Sequence, residues 1–463
     1  MSMRAYRLKL FYLSIWGLYS VHSFAQNQLS TRIDSLMQAA HQLGVFNGNV
    51  LVVHKGTIQY RNSLGYADGS RSKKMTLDRL FDIGSIAKEF NGVGLLLLQQ
   101  QGKLSLNNRL SQYLNGLPAW ADSIQLKHLI NYTSGLPISG ATSDQQLLAE
   151  LKSLKTLAFR PGKAYAYSYS NVYLQHRVIE VVSGQGYNAF ITDQLLKPMQ
   201  MNHTFMDLPV TAPEMARAFD SNFKESTYDQ QMSGWPRLSI DDLYSWLVKL
   251  DSYQLVNKAA MQALAVDLGG NESSLGHAVF KADKLSWHQH HGSNYNYEAL
   301  MTHDVENNIV VILMTNSQQF KVHALTNSII AILKGQPYMV PRRSLYLDLR
   351  EKVLADFNQG LAFYRAVREH QQDRYDLSFE IGDLVNTGKY IMRRQRYDDA
   401  IRLFELSATL NGKLSDYSYI YQLIADCYTK QGLKQLAILY YQEAVEKDPT
   451  NENAKGYLAE LVR

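Results

Sequence analysis

Residues Leu80 to Lys103, LFDIGSIAKEFNGVGLLLLQQQGK, hold the pattern from which the rest of the chain is read. Ser85 and Lys88 stand three apart, behind Gly84 and ahead of the apolar run Val93 to Leu98. If that run is a helix, Ser85 lies in its first turn and Lys88 on the same face one turn on. A hydroxyl then sits beside an amine. Apolar neighbours and a helix N-terminus both disfavour the ammonium form. Such a Lys can act as the base that a serine needs in order to attack a carbonyl. Ser-x-x-Lys is common, and on its own it fits a capping Ser and a surface Lys better than a catalytic pair. The surrounding sequence decides between the two.

The chain has 463 residues, of which 46% are hydrophobic, enough for a packed core and for two or three domains. The first residues have the form of a secretory leader. Arg4, Arg7 and Lys9 precede a mostly apolar stretch from Leu10 to Val21, and Ser23-Phe24-Ala25 has the small-x-Ala form of a cleavage site. A mature chain beginning at Gln26 and located in a bacterial periplasm is expected. The formal charge is +5, and the leader holds three of those positive charges. The balance of about +2 is no footprint for nucleic acid. The single cysteine, Cys427, permits no internal disulfide.

Outward from the Ser85 stretch, Asn47 to Val53 and Thr57 to Tyr60 read as two strands around a Lys55-Gly56 turn. Gly102 is the expected helix terminator. Leu129 to Pro137 (LINYTSGLP) reads as a helix end running into a loop. Arg160-Pro161-Gly162 is a turn that leads into Tyr165-Ala166-Tyr167-Ser168-Tyr169-Ser170-Asn171, expected to be extended, with a helix from Val172 to Ser183. Trp287 to Tyr297 and Ile309 to Met314 read as the last strands of an antiparallel sheet.

FDIGSIAK, LINYTSGLP, PGKAYAYSYSN and HHGS, in that order, resemble the serine β-lactamase and penicillin-binding-protein superfamily, nearest to its class C-like branch. The resemblance covers roughly residues 30 to 335. It implies an α+β fold, an antiparallel sheet flanked by helices with a helical lobe, and a site between sheet and lobe. It implies Ser85 as nucleophile, Lys88 as its base partner, and a Tyr whose phenolate shuttles the proton to the leaving group. It implies no metal or organic cofactor.

The tyrosine has two registers. Tyr169-Ser170-Asn171 reproduces the family's Tyr-x-Asn by chemistry. Counted from Pro161-Gly162 on one side and Glu180 on the other, the motif falls without gaps on Tyr167-Ser168-Tyr169. Tyr167 is favoured, because a shift would need compensating indels on both sides of a tight loop. Tyr169 then stands where the family has Asn, with Asn171 placed to reach in. Both are assigned to substrate binding. His290 is expected to face the site on an edge strand. Gly292 would admit a substrate backbone, and the Ser293 N–H, with that of Ser85, would form an oxyanion hole. His288 and His290 share one strand face, a spacing that can also bind zinc, but no carboxylate-spaced second pair lies nearby and no metal site is assigned.

Gly335 to Arg343 reads as a linker, after which all patterns are helical. Ala400, Phe404 and Ser407 recur as Ala437, Tyr441 and Ala444. This resembles tetratricopeptide repeats with a short insertion around Asn411 to Asp416. Leu345 to Gln372 is expected to supply a packing helix. The expected layout is a leader (1–25), a hydrolase domain (26–335), a linker (336–344) and an all-α repeat domain (345–463). The expected function is an exported serine hydrolase acting on a β-lactam, a D-amino-acid peptide or an ester. The alternative is a catalytically weakened scaffold whose helical repeats bind a protein or peptide partner.

Overall fold

The computed structural model describes residues 28–226, 232–265 and 271–462. The leader and the cleavage site expected after Ala25 lie outside the described residues. Two compact units part between Val340 and Pro341.

The first unit is built on a six-stranded sheet. Its strands are β1 (Gly48–His54), β2 (Thr57–Leu64), β3 (His277–Lys281), β4 (Lys284–Asn294), β5 (Tyr297–Asp304) and β6 (Ile309–Thr315). They lie in the order β2-β1-β6-β5-β4-β3, with every neighbouring pair antiparallel. The central strands are apolar at successive positions because both faces are covered. Val50, Val52, Leu300, Val311 and Leu313 pack on one face with the helix over residues 28–42 and the helix Val322–Leu333. Leu51, Val53, Met301, Val310 and Ile312 pack on the other face, against the helical lobe. The period of two therefore assigns each strand residue to a side.

The lobe is centred on the helix Ala87–Gln100, which is buried nearly all round. Phe90 stacks on Trp246 with ring centroids 3.9 Å apart. Gly94 lies against Ile179 of the helix Tyr169–Ser183 and Phe190 of the helix Tyr187–Ile191. Gly102 follows the helix end with φ +70°, as its terminator role requires.

Two expectations for this unit change. Tyr169 is not in an extended segment. The helix begins there, three residues before Val172, because the Ser168 hydroxyl caps it by accepting the Ser170 N–H. The His290–Gly292 segment is not on the outermost strand either. β3 lies outside β4, but it reaches only to the pair His277–Gln289. Among the described residues, His290 to Asn294 therefore has no strand partner on that side.

The second unit is all helical apart from a short parallel bridge between Arg343–Ser344 and Tyr375–Asp376. That bridge occupies part of the expected linker. Leu345 to Gln372 forms two helices, Leu345–Ala355 and Phe357–His370, rather than one. A break at Asp356, which caps the second helix through the Gln359 N–H, separates them. The helices Glu380–Met392, Tyr397–Ala408, Leu414–Lys430, Lys434–Lys447 and Glu452–Val462 follow. Cys427 is fully buried in the core of this unit.

A closely packed junction joins β4 to the turn that holds Ser85. A Cβ on Gly292 would sit 1.9 Å from the Ile83 carbonyl oxygen. Gly292→Ala should therefore force two backbones apart, at about 1–3 kcal/mol. A lowered denaturant midpoint, compared with Gly140→Ala, where an added Cβ meets nothing within 4 Å, is the expected result.

Candidate active site

The site starts from Phe81–Asp82, a short strand paired with Pro236–Leu238. The Asp82 carboxylate accepts the Gly84 N–H at 2.8 Å and the Asn294 amide at 3.1 Å. It also forms an ion pair with Arg237 at 3.1 Å, with both side chains buried. One carboxylate thus ties the approach to Ser85 to the end of β4. Gly84 takes φ +52°, which a side chain would resist. The residues Gly84–Ile86 form a 3₁₀ turn that runs straight into the helix Ala87–Gln100.

Ser85 is partly exposed at this turn. The Lys88 Nζ donates to its Oγ at 2.9 Å, and the Tyr167 hydroxyl donates to the same oxygen at 2.8 Å. Lys88 Nζ lies 4.9 Å from the centre of the Tyr167 ring. Burial lowers the Lys88 pKa to about 8, against the opposing pull of the Glu272 and Asp82 carboxylates. Burial raises the Tyr167 phenol well above its ordinary value, and Tyr132 and Glu272 add to this. The phenolate that the resemblance implied is therefore disfavoured here. Burial acts on both groups alike, favouring the neutral phenol of Tyr167 and the neutral amine of Lys88.

The other expected residues divide. A Cβ on Gly84 would sit 2.4 Å from the Ser293 N, and one on Gly292 would sit 2.9 Å from the Ser85 N. The two N–H groups named for an oxyanion hole are therefore neighbours, as that arrangement requires. His290 is on the lobe-facing side of β4, opposite Met301, but it is buried and hydrogen-bonded to Glu89 at 2.7 Å. Tyr169 turns away from Ser85. Its ring stacks on Trp235 at 5.9 Å and its hydroxyl donates to the Ser233 carbonyl at 3.3 Å. Asn171 does not reach in. It is fully buried, accepts the Ser134 hydroxyl at 2.6 Å and donates to the Ser168 carbonyl at 3.1 Å. His288 and His290 face carboxylates, and among the described residues no group of three or more ligands is set to hold a metal ion.

Tyr132, where relatives usually have His and which reads as structural, has φ +54° and packs its ring 4.9 Å from that of Tyr167. Three residues had not been singled out. Glu272 brings a carboxylate to the field of Lys88, and its carbonyl accepts the Tyr165 hydroxyl at 3.0 Å. Asp82 and Glu89 complete the set. A charged residue on an otherwise apolar helix was the available signal for Glu89.

The profile of the family described as Beta-lactamase matches residues 29–333. The chain belongs to the beta-lactamase family. The chain is 25% identical over 351 residues to penicillin-binding protein 4* of Bacillus subtilis strain 168, covering 67% of this chain and 77% of that one. In three dimensions it is similar to a class C beta-lactamase, with TM-score 0.58 and 18% identity over 68% of this chain and 98% of the other. It is likewise similar to a D-amino acid amidase from Ochrobactrum anthropi SV3, with TM-score 0.55 and 20% identity over 66% of this chain and 99% of that one. The beta-lactamase-family unit thus carries a serine-hydrolase fold, with the helical unit following it.

The lowered Lys88 pKa has a kinetic consequence. If neutral Lys88 is the base, kcat/KM for an activated ester should rise with pH and level off above about 8, as the amine loses its proton. A profile that is flat between pH 6.5 and 9 would remove Lys88 from that role.

Proposed function

We propose that this chain is an exported serine hydrolase working through an acyl-enzyme. The observation that carries the proposal is the convergence of Lys88 Nζ and the Tyr167 hydroxyl on Ser85 Oγ, at 2.9 and 2.8 Å. In the proposed reaction the neutral Lys88 amine takes the Ser85 proton as Oγ attacks the substrate carbonyl carbon. The Ser85 and Ser293 N–H groups receive the oxyanion. Tyr167 relays the proton to the leaving group, whose bond to the acyl carbon breaks. Water then attacks the ester of Ser85, giving up a proton to the same base and releasing the acid. The substrate class is a β-lactam, a D-amino-acid peptide or amide, or an ester.

The assignment of Tyr167 over Tyr169 rests on the distances to Ser85. Tyr167→Phe should lower the rate by about two to four powers of ten, the usual worth of a positioned acid–base group. Tyr169→Phe should cost far less, since its hydroxyl is engaged with a backbone carbonyl. The reverse ranking would move the proton relay to Tyr169. Ser85→Ala should abolish both turnover and labelling by a fluorophosphonate, with folding intact.

Export is proposed from the leader at the N-terminus, with cleavage after Ala25. Protein from the native host should begin at Gln26, and Met1 retained there would show an uncleaved anchor. No helix among the described residues is long and apolar enough to cross a membrane. For the second unit, the recurrence of Ala400, Phe404 and Ser407 as Ala437, Tyr441 and Ala444 supports tetratricopeptide-like helix pairs. In such pairs small residues admit a neighbouring helix. All six side chains are buried, in keeping with that role. A protein or peptide partner on these repeats is part of the proposal.

A further inference from the structure

When Lys88 takes the Ser85 proton, an ammonium forms on a buried side chain, and a buried charge is costly unless an opposite charge faces it. Two carboxylates act on Lys88, those of Glu272 and Asp82. Asp82 is already committed. It pairs with the buried Arg237 at 3.1 Å and accepts the Gly84 and Asn294 donors. Tyr169 and Asn171, expected beside the nucleophile, turn elsewhere. Glu272 is the carboxylate to which the chemistry described so far gives no role.

Its place is fixed from several sides. Ser273 and Gly276 bridge each other across a tight turn, in which Gly276 takes φ +63°. Ser274 donates its N–H and its hydroxyl to the Ile130 carbonyl, at 2.8 and 3.0 Å. The Tyr132 hydroxyl lies 3.4 Å from Ser274 Oγ. The Tyr165 hydroxyl donates to the Glu272 carbonyl at 3.0 Å. Tyr132 in turn packs on both other tyrosines, with centroids 6.1 Å from Tyr165 and 4.9 Å from Tyr167. The turn and the three rings thus form one packed group. From it the half-buried Glu272 carboxylate faces the Tyr167 hydroxyl, and that hydroxyl touches Ser85 Oγ at 2.8 Å. A nucleophile, its base and a third group that steadies the base are the usual parts of an activated serine.

We propose that Glu272 is a positioning residue that supplies the counter-charge for the ammonium formed on Lys88 as Ser85 attacks, and that Tyr165 holds it in place through its backbone. Two charges appear in that step, a negative one on the substrate oxygen and a positive one on Lys88 Nζ. The Ser85 and Ser293 N–H groups meet the first. Glu272 meets the second across the neutral Tyr167 phenol, while the charge of Asp82 is offset by Arg237. The proposal rests on the acyl-transfer reading.

The rate at which a fluorophosphonate labels Ser85 of the full chain, followed between about pH 6 and 10, tests this, because it reads the attack of Ser85 without turnover. The titratable groups facing Lys88 are Glu272, Asp82 and Tyr167, and those facing Glu272 from its own packed group are Tyr132, Tyr165 and Tyr167. A carboxylate favours the charged form of a nearby amine, so its removal leaves Lys88 easier to deprotonate and a weaker base. Wild-type labelling should rise with pH to a plateau above about 8. In Glu272→Gln the midpoint of the rise should move down by about one pH unit, and the plateau should fall by up to about tenfold. Glu272→Asp keeps the charge and should return the midpoint towards the wild-type position. Tyr165→Phe leaves the carboxylate but frees its backbone, and should move the midpoint the same way by less. An unchanged or raised midpoint in Glu272→Gln would overturn the proposal whatever the plateau, since a merely structural loss lowers the rate at every pH without moving the midpoint. No movement in Tyr165→Phe would overturn the anchoring role. Failure of wild-type Ser85 to label at any pH would instead refute the acyl-transfer reading itself.

Discussion

The site depends on one close approach of two backbones. Gly84 and Gly292 have no side chains, so the turn bearing Ser85 can lie directly against β4. This contact brings the Ser85 and Ser293 N–H groups together, and no side chain is needed to make that pair. Asp82 holds the junction from below by taking donors from Gly84, Asn294 and Arg237. Without the two glycines, the Lys88–Ser85 contact within one helical turn could still form, but the turn could not lie against β4.

The local half of this arrangement was legible in the sequence. Ser85 and Lys88 are fixed by one helical turn. Tyr167 was reachable by counting from Pro161-Gly162, because a tight loop leaves little room for slippage. The central strands were legible as apolar runs, since burial on both faces removes the polar alternation. The start of the helix at Tyr169 was not. Alternating tyrosines at 165, 167 and 169 have the period of a strand, and only the capping hydroxyl of Ser168 overrides it.

The long-range half was not legible, for a definite reason. The contacts of Glu89 with His288 and His290 join residues about two hundred positions apart, and they depend on the register of β4 against β5. A slip of one residue would turn both histidines to the opposite face. Spacing alone could say that His288 and His290 share a side, but not whether carboxylates or a metal would meet them there. The engagement of Asn171 is only partly of this kind: its contact with Ser134 spans 37 positions, whereas that with Ser168 spans three.

β3 stops short of His290, so among the described residues the second half of β4 has no strand on that side and is packed by the Ser85 turn. A protein usually suppresses such an edge, because unpaired amides and carbonyls template the addition of another extended chain. Here the edge is kept short, and it runs past the nucleophile. An extended molecule that pairs with it is therefore aligned with Ser85 by main-chain geometry before any side chain is recognised. The fold can accordingly hold the direction of the incoming chain constant while side-chain selection varies.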